Sequence, residues 1–150
     1  MSRLALFDLD HTLLSGDSDV LWCEFLMQRG LLPRADFEAR NTRMAERYAD
    51  GSVTPAEFCD FYVSTLAGRS AAALQPWRER FLSEVVAPLI PASAHALLDS
   101  HRQSGDLLVL TTATNRFITE LTADHLGLAH LIATEAELQQ GQLPAAPRAR

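Results

Sequence analysis

Two hydropathy periods divide this chain. Leu4-Ala5-Leu6-Phe7 is a short apolar run closed by Asp8, and such a run reads as a buried strand over residues 3–8. The next run of that kind is Leu107-Leu108-Val109-Leu110-Thr111. Between them the pattern turns helical. Ser18 to Gly30 carries Val20, Leu21, Cys23, Phe25, Leu26 and Met27, with Gly30 as a stop. Arg34 to Asp50 is more polar, with Phe37, Met44 and Tyr48 at its apolar positions, and Asp50-Gly51 is a turn. Thr54-Pro55-Ala56-Glu57 predicts a helix start, with a Thr cap, Pro at the first position and Glu completing a capping box. Phe58, Phe61, Tyr62 and Leu66 follow, and Gly68 ends that helix. A fourth helical stretch begins at Ser70, is expected to restart at Pro76, and reaches Val86 before Pro88 and Pro91. Beyond these prolines the pattern predicts a helix over 92–104, the Leu107 strand, a helix from Phe117 to Leu126, and a strand from His130 to Ala133. Glu135 to Leu143 fits a small hairpin, and residues 144–150 carry no fold signal.

Strands alternating with helices predict an α/β fold with a parallel sheet. A crossover between parallel strands needs only about a dozen residues, yet residues 9–106 separate the first two strands. The surplus reads as a helical insertion. The expected division is a core of residues 1–16 and 89–143, a helical insert of 17–88, and an unstructured tail.

Composition narrows the function classes. The apolar fraction of 47% can fill a core, and a net charge of −6 gives no electrostatic support to nucleic-acid binding. All thirteen basic residues are arginine. Cys23 and Cys59 are isolated, fit no metal or redox spacing, and read as buried reduced thiols in helices. No apolar run is long enough to span a bilayer, and the start of the chain reads as a strand rather than a signal peptide. A cytoplasmic protein with neither nucleic-acid nor membrane partners is expected.

The chemistry concentrates at Asp8 and Asp10. Side chains two apart on a strand leave it on the same side, so the two acids converge at the strand's C-terminal end, where open α/β sheets bind ligands. Carboxylates held that close need a bound cation or a shared proton. Magnesium suits one or two carboxylates plus substrate phosphate, and an aspartate can attack phosphorus to give an aspartyl phosphate.

The run Phe7-Asp8-Leu9-Asp10-His11-Thr12-Leu13 resembles the D-x-D-x-T signature of the haloacid dehalogenase superfamily. The helical insert directly behind it resembles the cap of the phosphoserine-phosphatase-like branch. The resemblance implies a Rossmann-like core and Mg²⁺-dependent hydrolysis of a small phosphorylated metabolite. Asp8 would be nucleophile and metal ligand. Asp10 would be general acid/base and would also serve the metal, by its backbone carbonyl. Thr111-Thr112-Ala113-Thr114-Asn115 is similar to the family's second motif, which implies that Thr112, with Thr111 as rival, hydrogen-bonds the phosphate, helped by backbone N–H groups of Ala113 and Thr114. Asp17 stands where relatives place a substrate-facing acid, and it serves equally as a helix N-cap. Relatives specific for phosphoserine carry a cap arginine where this chain has Tyr62, which argues against that substrate. His11 is expected to face solvent or line the wall of the site, and Arg116 to start a helix.

The resemblance spans roughly residues 3–143 and lacks two family elements: a third-motif Lys or Arg, and acids on a further strand that complete the metal site. Beyond Thr112 the only aspartate is Asp124. The chain is therefore expected to be the N-terminal two thirds of such an enzyme, with little activity and an unpaired apolar edge on its first strand that invites a homodimer. A phosphotransferase using the same aspartate and a non-catalytic, partner-binding form are the alternatives. A true dehalogenase is disfavoured, because those enzymes typically lack the second acid.

Overall fold

In a computed structural model the chain is described over residues 2–135. Three parallel strands, β1 (Leu4–Asp8), β2 (Leu107–Asn115) and β3 (His130–Thr134), form one sheet in the order β1-β2-β3. Six α-helices accompany them among the described residues: α1 (Ser18–Gln28), α2 (Arg34–Ala49), α3 (Pro55–Val63), α4 (Ala71–Phe81), α5 (Ala92–Gln103) and α6 (Arg116–His125). The α/β class and the helical insertion between β1 and β2 follow the sequence pattern. All but residue 135 of the expected hairpin, and the whole expected tail, lie outside the described residues.

The helix starts form where capping chemistry places them. Asp17 accepts from the Val20 N–H at the head of α1, and Thr54 and Glu57 close a reciprocal capping box on α3. Ser70 caps α4. The expected restart at Pro76 does not occur. Pro76 sits inside α4, which runs on to Phe81 and then widens into a single π-type turn, Leu82–Val86. A proline near a helix start forfeits one backbone bond, and the apolar stripe of Leu74, Phe81 and Val86, all buried, outweighs that loss.

Packing explains why the insert holds. Trp22, Phe25, Leu26, Leu66, Leu74 and Phe81 join one apolar cluster with Phe7, Leu110, Leu98 and Phe117. Trp22 stacks on Phe25 with ring centroids 5.7 Å apart and meets Phe81 edge-on at 5.1 Å. A second cluster of Cys23, Phe37, Phe61 and Tyr62 joins α1, α2 and α3, whereas Cys59 of α3, expected to be buried, lies outside both clusters and is half-buried. Burial pushes both the Cys23 thiol and the Tyr62 phenol above their usual ranges. Arg78 of α4 is buried, stacks over Phe117 at 4.1 Å and pairs with Glu120 of α6.

The strand register positions the site. Leu4 lies opposite Leu107 and Asp8 opposite Thr111. Between β2 and β3, Thr111 pairs with Ile132 and Asn115 with Thr134. Four steps along β2 therefore match two along β3, and the surplus residues bulge. β2 runs four residues past the expected end at Thr111, because this bulge carries Thr112, Ala113 and Thr114 within the strand rather than in a turn. The Thr112 hydroxyl accepts from the Thr114 N–H at 3.2 Å, replacing the ladder bond lost there.

Candidate active site

β1 ends at Asp8, and the chain turns at once. Leu9 is fully buried, and its carbonyl accepts from Thr12 N–H at 3.1 Å and Leu14 N–H at 3.0 Å. His11 adopts a positive φ of 55° and its N–H bonds the Gly16 carbonyl at 3.0 Å. Histidine is among the residues that tolerate this left-handed conformation better than most. The loop closes with Ser15 N–H on the Leu89 carbonyl at 2.8 Å, joining the entry of the insert to its exit.

That turn presents both acids. Asp8 is exposed, and its Oδ2 accepts from the Thr12 hydroxyl at 3.0 Å. The Asp10 carboxyl lies deeper and has three donors. Its Oδ1 accepts from the Ser18 N–H at 2.8 Å and the Ser18 hydroxyl at 2.6 Å, and its Oδ2 from the Thr114 hydroxyl at 3.0 Å. The Ser18 and Thr114 hydroxyl oxygens are 3.1 Å apart. Thr114 also lies 3.4 Å from Asp19 Oδ2. Burial, reinforced by Asp17 and Asp10, pushes the Asp19 carboxyl up to about 7, against the opposing Thr114 hydrogen bond. The other Asp19 oxygen is buried without a partner.

The other expected site positions divide. Thr112 is buried in β2 within the bulge that carries Thr114. Ala113 is exposed, and its carbonyl accepts from the Thr134 hydroxyl at 2.7 Å. Asp17 performs the capping half of its expected pair of roles. Thr111 faces Asp8 across the β1–β2 pair. Arg116 is engaged elsewhere, donating to the Leu131 carbonyl at 3.0 Å and pairing with Glu135 at 2.6 Å. Tyr62 packs against Phe58 and Phe61. Asn115 caps α6, its side-chain oxygen accepting from the Ile118 N–H at 3.1 Å.

Ser18 and Asp19 escaped the motif reading, and Thr114 entered it for its backbone N–H, not for its hydroxyl. Ser18 and Thr114 lie 96 positions apart in the chain. The one local signal was the density of cap-forming residues in Asp17-Ser18-Asp19, which sequence reading assigns to a helix start.

The oxygens fit a hard cation. Asp8 offers an exposed carboxylate and Asp10 a backbone carbonyl beside it, and magnesium accepts few protein oxygens when water and phosphate supply the rest. Among the described residues no group of three or more His, Cys, Asp or Glu side chains forms a closed metal cage. Among them also, the ion pairs leave Asp8 and Asp10 without an arginine.

Comparison with known proteins places the chain in a family. Residues 5–148 match the family model described as haloacid dehalogenase-like hydrolase. The chain is 33% identical over 137 residues to a histidinol-phosphatase of Neisseria meningitidis serogroup C (strain 8013), covering 91% of this chain and 62% of that protein. A crystal structure of a protein of unknown function from Bordetella pertussis Tohama I superimposes with a TM-score of 0.90 at 39% identity, over 97% of this chain and 66% of that one. A substrate-bound phosphoserine phosphatase shares the fold, with a TM-score of 0.65 at 14% identity over 97% of this chain and 62% of its own. The chain thus spans less than two thirds of the length of these relatives.

Proposed function

The chain belongs to the haloacid dehalogenase-like hydrolase family, and from that premise we propose that it serves the hydrolysis of a small phosphomonoester. Asp8 is the nucleophile. One of its oxygens attacks phosphorus as the ester P–O bond breaks, and Asp10 gives its proton to the departing oxygen. Water then attacks the aspartyl phosphate, losing a proton to Asp10, and phosphate leaves as Asp8 is restored. General acid/base help of this kind is worth roughly 10²–10⁴ in rate. Mg²⁺, held by the Asp8 carboxylate and the Asp10 carbonyl, would supply charge neutralisation at the phosphoryl group. Thr112 and the Ala113 N–H would orient the phosphate from the end of β2.

The observation that carries this reading is the contrast between the two acids. Asp8 is exposed with one donor, as an attacking group must be, while Asp10 is held by three. The segment α1–α4 would act as the cap that excludes water from the closed site. Histidinol phosphate is the first substrate to try, since the Neisseria relative is a histidinol-phosphatase. Its amine would meet the acid Asp17. Tyr62 in the place of a carboxylate-binding arginine speaks against phosphoserine.

Mg²⁺-dependent phosphate release from histidinol phosphate and from phenyl phosphate, with Asp8→Asn as control, tests the proposal. Turnover abolished by Asp8→Asn is expected; turnover that survives it would overturn the assignment. A second reading, self-association through β1, is favoured by Leu4 and Leu6, which stand 61% and 59% exposed.

A further inference from the structure

Resting on the reading of Asp10 as acid/base, we propose that Ser18 and Thr114 are positioning residues that lock the Asp10 carboxyl so that Oδ2 is the oxygen that gives and takes the proton. A carboxylate has about four lone-pair sites, two on each oxygen. Oδ1 fills both, with the Ser18 N–H at 2.8 Å and the Ser18 hydroxyl at 2.6 Å. Oδ2 fills one, with the Thr114 hydroxyl at 3.0 Å. The one open site is on Oδ2. There the O–H bond breaks as the departing oxygen gains its proton, and there it re-forms when water is deprotonated.

The two donors come from rigid, buried places. Ser18 is the first residue of α1 and Thr114 lies in the bulged end of β2, 2% and 3% exposed. An amide at the first position of a helix has no intrahelical acceptor, so the Ser18 N–H is satisfied by Asp10 alone. A threonine hydroxyl has one proton to donate, and Thr114 has two carboxyl groups in reach, Asp10 and Asp19, besides the Ser18 hydroxyl oxygen, whose own proton goes to Asp10. A proton held on Asp19 is donated to the Thr114 oxygen and leaves the Thr114 proton for Asp10. The raised affinity of Asp19 for protons supports this direction. The chain Asp19–Thr114–Asp10 therefore ties the orientation of the acid/base to the head of α1, where the insert leaves the sheet.

Two measurements on the full chain test this. The first needs no turnover: amide hydrogen exchange at Ser18 in the native protein and in Asp10→Ala. Slower exchange in the native protein by about tenfold or more is expected, since the amide loses its sole partner in the variant. Equal exchange would overturn the proposal, whether or not the chain turns over. The second is Mg²⁺-supported hydrolysis of phenyl phosphate by Thr114→Val and Thr114→Ser, beside Asp10→Asn. Thr114→Val should lower kcat about tenfold or more with KM little changed, and Thr114→Ser should restore most of it. Native kcat in Thr114→Val beside an inactive Asp10→Asn would overturn the positioning role alone. A fully active Asp10→Asn would overturn the acid/base reading beneath it. If Thr114→Val fails to fold, Ser18→Ala replaces it, and native kcat there overturns the proposal equally.

Discussion

The two faces of the small sheet share the same strands and differ in almost everything else. On one face Phe7, Leu108 and Leu110 are buried beneath Leu98 of α5, Phe117 and Ile118 of α6, and Leu126 just past its end. On the other, Leu4, Leu6, Leu107 and Ile132 stand 61%, 59%, 47% and 61% exposed, and none belongs to either apolar cluster. Val109 on the same side of β2 is nevertheless buried, and a hollow of about 540 Å³ runs from Leu107, Val109 and Ile132 to Arg116, Glu120 and Ala123 of α6. Alternation along a strand decides which residues share a face, but only the helices decide which face is dry. The composition of the two sets is equally apolar, so hydropathy alone does not separate them.

The largest test of that contrast is truncation at matched positions. Leu110→Ala removes a side chain with no exposure and should cost about 2–5 kcal/mol of unfolding free energy. Leu6→Ala, on the open face, should change it by about 0.5 kcal/mol or less. Chemical denaturation of both variants measures the difference; equal losses would mean that the open face is covered in solution.

The same difference in wetness separates carboxylates at the top of the sheet. Asp8 is exposed, whereas Asp19 is largely buried, and that burial pushes its carboxyl up to about 7 against the opposing Thr114 hydrogen bond. A carboxyl that binds its proton more tightly folded than unfolded loses stability as pH rises between the unfolded value near 3.8 and the folded value near 7. The loss is at most about 1.4 kcal/mol per pH unit within that window. Asp19→Asn should therefore flatten the stability profile between pH 4 and 7 and be the more stable protein at pH 8 by thermal unfolding. A profile with the native slope would place the buried charge elsewhere.

The smallest effect on stability belongs to Leu6→Lys. A lysine on an exposed strand position should leave unfolding free energy within about 0.5 kcal/mol, yet it should weaken any self-association through β1. Sedimentation velocity across a concentration series reads this directly. Unchanged association in the variant would remove β1 from the contact.

Much of this architecture was legible before the fold. The apolar run into Asp8 located β1, and the capping box at Thr54 and Glu57 located the start of α3, although α3 ends at Val63, short of the expected Gly68. Both signals are local, a few residues long, and each carries its own physical cause. The error at Pro76 had the opposite origin. Proline chemistry is local too, but the burial of Leu74, Phe81 and Val86 is tertiary and overrode it. The extension of β2 to Asn115 was hidden for the same reason, because a bulge exists only relative to a partner strand, here β3.

By itself the sequence determined the class of fold, the order of its elements and the pair Asp8 and Asp10, because periodicity, caps and a two-residue spacing act over a turn or a strand. Only the tertiary structure decided that Ser18 and Thr114 share one carboxyl, that Asp19 holds its proton toward neutrality, and that one apolar face of the sheet is covered while the other is open. Each of these depends on what distant segments exclude from water or bring within hydrogen-bond reach, and no stretch of chain records its own neighbours.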